Sequence, residues 1–491
     1  MLNTALRQLR HATRVLTGRP FGVADIQAIV ADLRASLEEF GAPGEDLDTL
    51  PGSQPADPEI QAVMARRRVR QVVRHAAVHV PYYRHWFTAS GMNSSQISLE
   101  ALSQIPPTAK DALRAAPSAF ITDSAEPVLM IRTTGTTGTP AGVWFSKHEL
   151  DLQAALTAIS LMVNGRLRSH HVVASAITSR STLPVVNSAS ALGMIGAGYI
   201  QLGTIEPQLV LDRLASPLHV PGKKPQITHL VAVPSYLGLL TWLAEHEGWS
   251  AADFGLEQVF AGGEVLTEAL RARATEAFGA EILDGYGATE ITPVAGSLCS
   301  ARHLHIPAEH AHVEIADPVT LAPALPGAVG VLIVTPYLAY RDTTVLLRYN
   351  TGDLVRRLAG TEPPDCELRA IPAMSPVLGR IATDGSGLTT RDVLEVLQAE
   401  RDLPMPTRYA LSQSPSGPLL HVVAPGCSRQ LLARLEERAA DCGLAVSGIV
   451  LADDPMELPA PSPARSDLRE LTFESGAASH DAARVPSGGI R

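Results

Sequence analysis

Cysteine is scarce: Cys299, Cys366, Cys427 and Cys442 are the only four in 491 residues. That is too few to staple a chain of this length, so a disulfide framework is excluded and a reducing cytoplasm is expected. Long apolar runs are missing as well. None approaches the roughly 20 residues of a membrane span, and no membrane partner is expected. A basic excess is also absent. The formal net charge is −10, which excludes the broad positive surface of a nucleic-acid binder. There is no self-similarity at a solenoid period.

What is present fits a globular protein with a sizeable core: 45% of residues are hydrophobic and 18% charged. The length suits roughly two to three domains. The start, "MLNTALRQLRHATRVLTGRP", lacks the apolar core and cleavage site of a signal peptide and reads as a surface helix. The end, "ESGAASHDAARVPSGGIR", reads as a frayed tail. From Glu59 to Val80, Val69, Val72, Val73, Ala76 and Val80 recur at helical spacing, up to Pro81.

The stretch 256–290 reads as strand, Gly-Gly turn, helix from about Leu266 to Phe278, strand and second Gly-rich turn. Such alternation predicts a largely parallel sheet flanked by helices, with functional loops at strand ends. "VGVLIVTP" (329–336) and "VLLRYNTGDL" (345–354) are further strand-and-turn units. After Gly379-Arg380 the texture changes. Helices near Arg391–Glu400 and Ser428–Asp441 alternate with strands at "TRYALS", "LLHVVAP" and "GIVLA". The expected fold is α/β. Residues 1–378 form a large domain of parallel or mixed sheets flanked by helices, 379–475 a small α+β domain, and 476–491 a flexible tail.

The loop "TTGTTGTPAG" (133–142) draws attention first. Gly135 and Gly138 permit positive φ and close backbone approach, and Thr133, Thr134, Thr136, Thr137 and Thr139 offer hydroxyls. Such a loop can aim several N–H groups at an anion. It is not a Walker A loop: no Lys-Ser/Thr follows the glycines, and Pro140 obstructs a helix there. Taken alone, a phosphate cradle and a Thr-rich surface turn both remain open.

Four more segments follow in order: "AGGE" (261–264), "DGYGATE" (284–290), "YNTGD" (349–353) and "GR" (379–380). Together with the Thr/Gly loop, this order resembles the adenylate-forming (ANL) superfamily. "RQVVRHAAVHVPYYRHWF", "IPPTAKDAL", "THLVAVPSYLG" and "LHIPAEHAHVEIADP" are similar to signatures of its phenylacetate-CoA ligase branch. The resemblance covers about residues 60–380 and implies ATP and Mg²⁺ as cofactors. It implies that Thr133–Thr139 wrap the β- and γ-phosphates, Glu290 holds Mg²⁺ and Thr289 bonds the α-phosphate. Tyr286 would stack on adenine and Asp353 would take the ribose hydroxyls. Arg380 would reach ribose or phosphate. Gly262, Gly263, Glu264, Asp284 and Gly287 would complete the nucleotide-binding set. Each also has a plain reading, such as a solvated acid for Glu290, a turn-former for Asp353 and core packing for Tyr286.

Some relatives in this branch hold a structural zinc on cysteines and a histidine. Here Cys299, His303, His305, His310, His312 and Cys366 lie in the corresponding segments, but Pro364 stands where a second late cysteine belongs. Zinc wants four ligands, so these are read as isolated side chains, with a zinc site as the alternative.

Two departures concern the C-terminal part. The superfamily supplies a lysine whose ammonium bridges the acid and the α-phosphate, yet no lysine follows Lys224. In the matching stretch, "LPAPSPARSDLREL" (458–471), Arg465 is the candidate substitute. At the hinge, "IATDG" puts Ala382 where an acidic residue or lysine belongs. The segment 174–194, expected to line the acid pocket, has no aromatic residue and carries Ser179, Arg180, Ser181 and Asn187.

The leading expectation is an ATP-dependent enzyme that adenylates a small aromatic acid, with transfer to CoA as a second step left open. A second reading is a diazotase activating nitrite for reaction with an aryl amine, and a third is a nucleotide-binding scaffold without turnover. The expected partner is a small-molecule acid or amine; the sequence does not set the oligomeric state.

Overall fold

The computed structural model describes residues 13, 22–41, 57–133, 140–360, 366, 368–369, 371–380, 387–426 and 428–459. The rest of the basic N-terminal segment, the tail, Ala382, Cys427 and Arg465 lie outside the described residues. No described helix is long and apolar enough to cross a membrane.

The periodic segment near residue 60 forms the helix Pro58–His79, whose Val69, Val72, Val73 and Ala76 are fully buried. Asp57 caps it by accepting a hydrogen bond from the Glu59 backbone N–H. Pro81, which has no N–H to offer, ends this helix and opens the next, Pro81–Ser90. "PYYRHWF" is therefore helical as well.

Strands β1 (Pro127–Arg132) and β2 (Gly142–Ser146) form an antiparallel hairpin. The main sheet has eight strands. It takes in β3 (Val172–Ser175), β4 (Gly198–Gln201), β5 (His229–Ala232), β6 (Gln258–Gly262), β7 (Glu281–Gly287), β8 (Ala295–Leu298), β9 (Leu304–His305) and later β13 (Ala373–Met374). Its spatial order is β13-β9-β8-β7-β6-β5-β3-β4. The strands from β4 across to β7 are parallel, and from β7 to β13 the pairing is antiparallel. Successive residues of β3 face opposite layers: Val173 belongs to the core cluster that includes residues of the helices Pro58–His79 and Lys147–Val163, while Val172 and Ala174 belong to the one that includes Pro234–His246 and Glu268–Phe278. A sheet covered on both faces gives near-continuous apolar strands such as "VVAS".

A second sheet runs β10 (Ala311–Ala316), β11 (Val329–Pro336), β12 (Tyr349–Arg356) and β14 (Gly379–Arg380), all antiparallel. "NTGD" is not a turn after a strand but a bulge inside β12. Between the pairs Ile333–Asn350 and Val331–Leu354, β11 spends one residue and β12 spends Thr351, Gly352 and Asp353. Gly352 takes φ +77, a conformation that suits glycine. Thr351 Oγ1 donates to Leu332 O at 2.8 Å and accepts from the Asp353 N–H at 3.1 Å. The bulge thereby re-aims Asp353.

Residues 387–459 build helices Thr390–Gln398 and Arg429–Asp441 on a three-stranded sheet of β15 (Tyr409–Ser414), β16 (Gly417–Val423) and β17 (Gly448–Ala452). This unit docks on the helix Glu268–Phe278. The Glu395 carboxylate accepts from the N–H groups of Glu268 and Ala269 at 2.9 and 3.1 Å. Arg273 donates to Gln398 O at 2.8 Å. Unsatisfied N–H groups at a helix start are natural partners for such an anion.

Candidate active site

The glycine-rich segments lie where a parallel sheet places its ligands, beyond the C-terminal ends of its strands. Gly262 ends β6, and a Cβ there would sit tightly against Gly285 O at 3.2 Å, so a side chain would crowd the neighbouring strand. Gly263 turns the chain at φ +85. Glu264 accepts a hydrogen bond from the Ser235 N–H at 2.8 Å, fixing this turn to the start of the helix Pro234–His246. Gly287 ends β7 with open space where a Cβ would stand. Thr289 follows, half-buried, and Glu290 is buried at 4% exposure.

Glu290 has two partners from distant parts of the chain. The Lys110 ammonium lies 3.0 Å from its Oε1, and the buried Tyr349 hydroxyl donates to the same oxygen at 2.9 Å. Burial first, and then this carboxylate, push the Tyr349 phenol far above its ordinary pKa. Asp353, on the β12 bulge, accepts from the Tyr286 hydroxyl at 2.8 Å through Oδ2 and pairs through Oδ1 with Arg380 Nε at 3.3 Å. Burial raises the Asp353 pKa, and Arg380, the Tyr286 bond and Lys110 oppose the rise. The Asp353–Arg380 pair is also a cross-strand pair of β12 and β14.

The Thr/Gly loop is the connection of the β1–β2 hairpin. Its base is closed by Thr133, whose N–H donates to Ala141 O at 2.9 Å and whose Oγ1 accepts from Ala141 N–H at 3.0 Å. Thr134, Gly135, Thr136, Thr137, Gly138 and Thr139 lie outside the described residues. The hairpin is tied to the chain just ahead of β12. Trp144 N–H donates to Thr344 Oγ1 at 3.0 Å, and Arg341, stacked 4.1 Å from the Phe145 ring centroid, donates to Trp144 O at 3.1 Å.

Asp284 stands apart from this group. Its carboxylate is held by Arg302 at 3.2 Å, and Arg391 acts on it from the docked unit. Burial outweighs these cations and lifts its pKa to about 6. Arg180 is exposed, and Asn187 donates its amide to Thr157 at 2.9 Å.

The sulfur and imidazole residues are not isolated. Ligand atoms of Cys299, His303, His305 and Cys366 all lie within 4.8 Å of one another. Cys299 Sγ is 3.7 Å from His303 Nδ1, and Cys366 Sγ is 3.5 Å from His305 Nε2. A tetrahedron of sulfur and nitrogen around zinc has edges of about 3.3–3.8 Å. His305 Nδ1 lies 2.8 Å from Ile371 O, which suits donation there and leaves the Nε2 lone pair facing Cys366. His303, four residues after Cys299, brings a fourth side chain of metal-binding type to the group. His310 and His312 take no part: His310 packs on the Tyr340 ring at 4.4 Å, and burial depresses the pKa of both.

The AMP-binding enzyme profile matches residues 54–339. The chain belongs to the AMP-binding enzyme family. Phenylacetate-coenzyme A ligase of Thermus thermophilus is 29% identical over 344 residues, covering 68% of this chain and 72% of that protein. Phenylacetate-coenzyme A ligase of Escherichia coli is 28% identical over 314 residues, covering 62% and 68%. A 2-hydroxyisobutyryl-CoA ligase structure in the postadenylation state shares the fold, with TM-score 0.67 and 20% identity over 88% of this chain and 93% of that one. The chain thus falls in the adenylate-forming superfamily, on its phenylacetate-CoA ligase-like branch, as an ATP-dependent enzyme that forms acyl-adenylates.

Two residues of the carboxylate cluster were not assigned roles from sequence. Lys110 lies inside "IPPTAKDAL" and Tyr349 opens "YNTGD", but their partner Glu290 is far away in the chain.

The Asp284 shift sets a pH dependence. An Asp pKa raised by folding from 3.8 to about 6 contributes stability that is full below its unfolded pKa and lost as pH rises through about 6. The melting temperature of the native protein relative to Asp284→Asn is expected to increase as pH falls from about 7.5 to 5. A difference that does not change with pH contradicts this account.

Proposed function

We propose that the chain activates a small aromatic carboxylic acid as its acyl-adenylate and passes the acyl group to coenzyme A. The observation carrying this reading is the meeting of Glu290, Tyr286, Asp353 and Arg380 where the end of β7 and the strand β14 face the bulge of β12, with Tyr349 joining Glu290 to that strand. An aromatic acid is supported by the phenylacetate ligases among the relatives. In the first step a carboxylate oxygen bonds to the α-phosphorus of ATP as the bond to pyrophosphate breaks. In the second, the CoA thiolate sulfur bonds to the acyl carbon and AMP leaves with the electron pair of the broken C–O bond.

The donor set suits these groups. Asp353 keeps lone pairs for ribose hydroxyls beyond those used by Tyr286 and Arg380, and the Tyr286 ring, tethered through its hydroxyl, offers a face to adenine. Glu290 provides the hard oxygen that Mg²⁺ prefers; the ion supplies charge neutralisation at the phosphates. Thr289 and the loop from Thr133 to Thr139 supply hydroxyl and backbone donors to the phosphate oxygens, with Gly262, Gly263 and Gly287 leaving room for close approach. Glu264 holds its own turn, and Asp284 serves the Arg302 contact rather than the nucleotide. The nitrite reading rested on the polar segment 174–194 and on the altered small domain; within that segment an exposed Arg180 and an Asn187 engaged by Thr157 give it no support, and Ala382 and Arg465 lie outside the described residues.

The chain is further proposed to divide just beyond Arg380, whose strand pairs with β12, the small unit from about residue 387 completing the second step. Cys299, His303, His305 and Cys366 are proposed to hold a structural zinc joining the β8–β9 segment to the loop before β13.

Two measurements check these readings. Pyrophosphate exchange into ATP should depend on an added aryl acid, and Glu290→Gln should slow it about a hundredfold or more, with thioester formed only when CoA is present. Exchange that no acid supports, or that needs nitrite with an aryl amine, contradicts the acid reading. Elemental analysis should find one zinc per native chain and far less in His303→Ala or Cys366→Ala, with chelation lowering the melting temperature. Zinc-free protein whose melting is indifferent to chelation contradicts the metal centre.

A further inference from the structure

The helix Pro58–His79 carries five arginines, and one of them is turned inward. Arg66, Arg67, Arg70 and Arg74 are exposed, whereas Arg68 is 9% exposed. Its guanidinium carbon lies 5.5 Å from the centroid of the Tyr337 ring. Among the described residues Arg68 has no hydrogen-bonding partner and no ion pair. The other buried arginines are all answered. Arg273 is held by Glu245 and Gln398 O, Arg341 by Glu149 and Trp144 O, and Arg348 by Glu314 and Ile105 O. A buried charge without such partners carries an uncompensated desolvation cost. A guanidinium cannot shed its proton to avoid that cost.

The groups gathered around Arg68 are neutral. His310 packs on the Tyr340 ring at 4.4 Å, and its Nδ1 is buried with no hydrogen-bonding partner among the described residues. Burial first, and then the Arg68 charge, lower the His310 pKa to about 4, so the imidazole is uncharged near neutral pH. Backbone bonds fix the arrangement. Tyr337 N–H donates to His310 O at 3.0 Å, and the N–H groups of Tyr340 and Arg341 both donate to Tyr337 O at 2.9 Å. Glu309 acts on both tyrosines, yet it is exposed and, among the described residues, forms no ion pair with Arg68.

We propose that Arg68 and His310 form a binding site for a monocarboxylate, apart from the carboxylates Glu290 and Asp353. The planar fork of a guanidinium takes both oxygens of a carboxylate. The neutral imidazole, with its proton on Nδ1, adds a further donor. Burial beside Tyr337 and Tyr340 strengthens such charge-assisted bonds by keeping water away. One fixed positive charge matches one negative charge, whereas a phosphate dianion would leave a charge over in a buried place. None of these residues is a partner of Glu290 or Asp353, so the site is independent of the adenylation reading.

The test uses sodium acetate as the probe on the full chain, with sodium chloride holding the ionic strength constant. The melting temperature of the native protein should rise saturably with acetate. The imidazole NMR signal of His310, assigned by its loss in His310→Phe, should shift along the same curve. Arg68→Met should weaken acetate binding about tenfold or more, and His310→Phe should weaken it less. Without acetate, Arg68→Met should melt no lower than the native protein, because an apolar side chain relieves the unpaired charge. Glu309→Gln should not weaken acetate binding, and inorganic phosphate should bind more weakly than acetate. A native His310 signal that ignores acetate overturns the proposal without the need for any Arg68 variant to fold. Equal acetate affinity in Arg68→Met or a preference for phosphate also overturns it. So does a matching fall in the melting temperatures of Arg68→Met and Glu309→Gln, which would make Glu309 the counter-ion.

Discussion

Glu290 and Asp353 carry carboxylates where water is scarce, and a buried carboxylate persists only when cations and donors compensate it. The compensation comes from far apart in the chain. Lys110 and Tyr349 serve Glu290, while Arg380 and Tyr286 serve Asp353. Removing one partner of such a pair typically costs about 3–5 kcal/mol, so these contacts bind four segments into one site. The same arrangement is what a polyanionic nucleotide requires. It holds positive charge and fixed donors in place before the ligand arrives, which lowers the cost of reorganisation.

The scaffold serves that placement. The β12 bulge turns Asp353 toward Tyr286, using the positive φ of Gly352 and two bonds of Thr351. Thr108, which donates to Arg348 O and Leu347 O, sets Lys110 against the opening of the same strand. Arg341 and Glu149, both almost wholly buried, lock the Thr/Gly hairpin to the segment leading into β12. The small unit grips the start of the helix Glu268–Phe278 through Glu395, and Arg302 links that helix to Asp284 on β7. Its docking therefore reaches the strand that ends at the site. The sulfur–imidazole cluster joins the antiparallel side of the same sheet to the loop before β13.

Much of this could be read from local patterns. The helical spacing of Val69, Val72, Val73 and Ala76 and the strand–helix–strand run at 258–287 have periodicities that burial enforces, and the order of motifs carried the family. What escaped depends on long-range folding. Sequence reads "NTGD" as a turn because Asn, Gly and Asp favour turns; pairing with β11 overrides that preference. Cys366 lies 61 residues from His305, so the sequence grouped them only by resemblance, and Pro364 favoured isolated side chains where folding brings four ligand atoms within 4.8 Å of one another. Lys110 belongs to a short motif with no catalytic signature, and its meaning appears only when Glu290 comes within 3.0 Å.

A crystal structure with ATP and Mg²⁺ tests the central claim most directly. The account predicts the ribose at Asp353, adenine on Tyr286 and the metal on Glu290. A nucleotide bound away from these two carboxylates would contradict it.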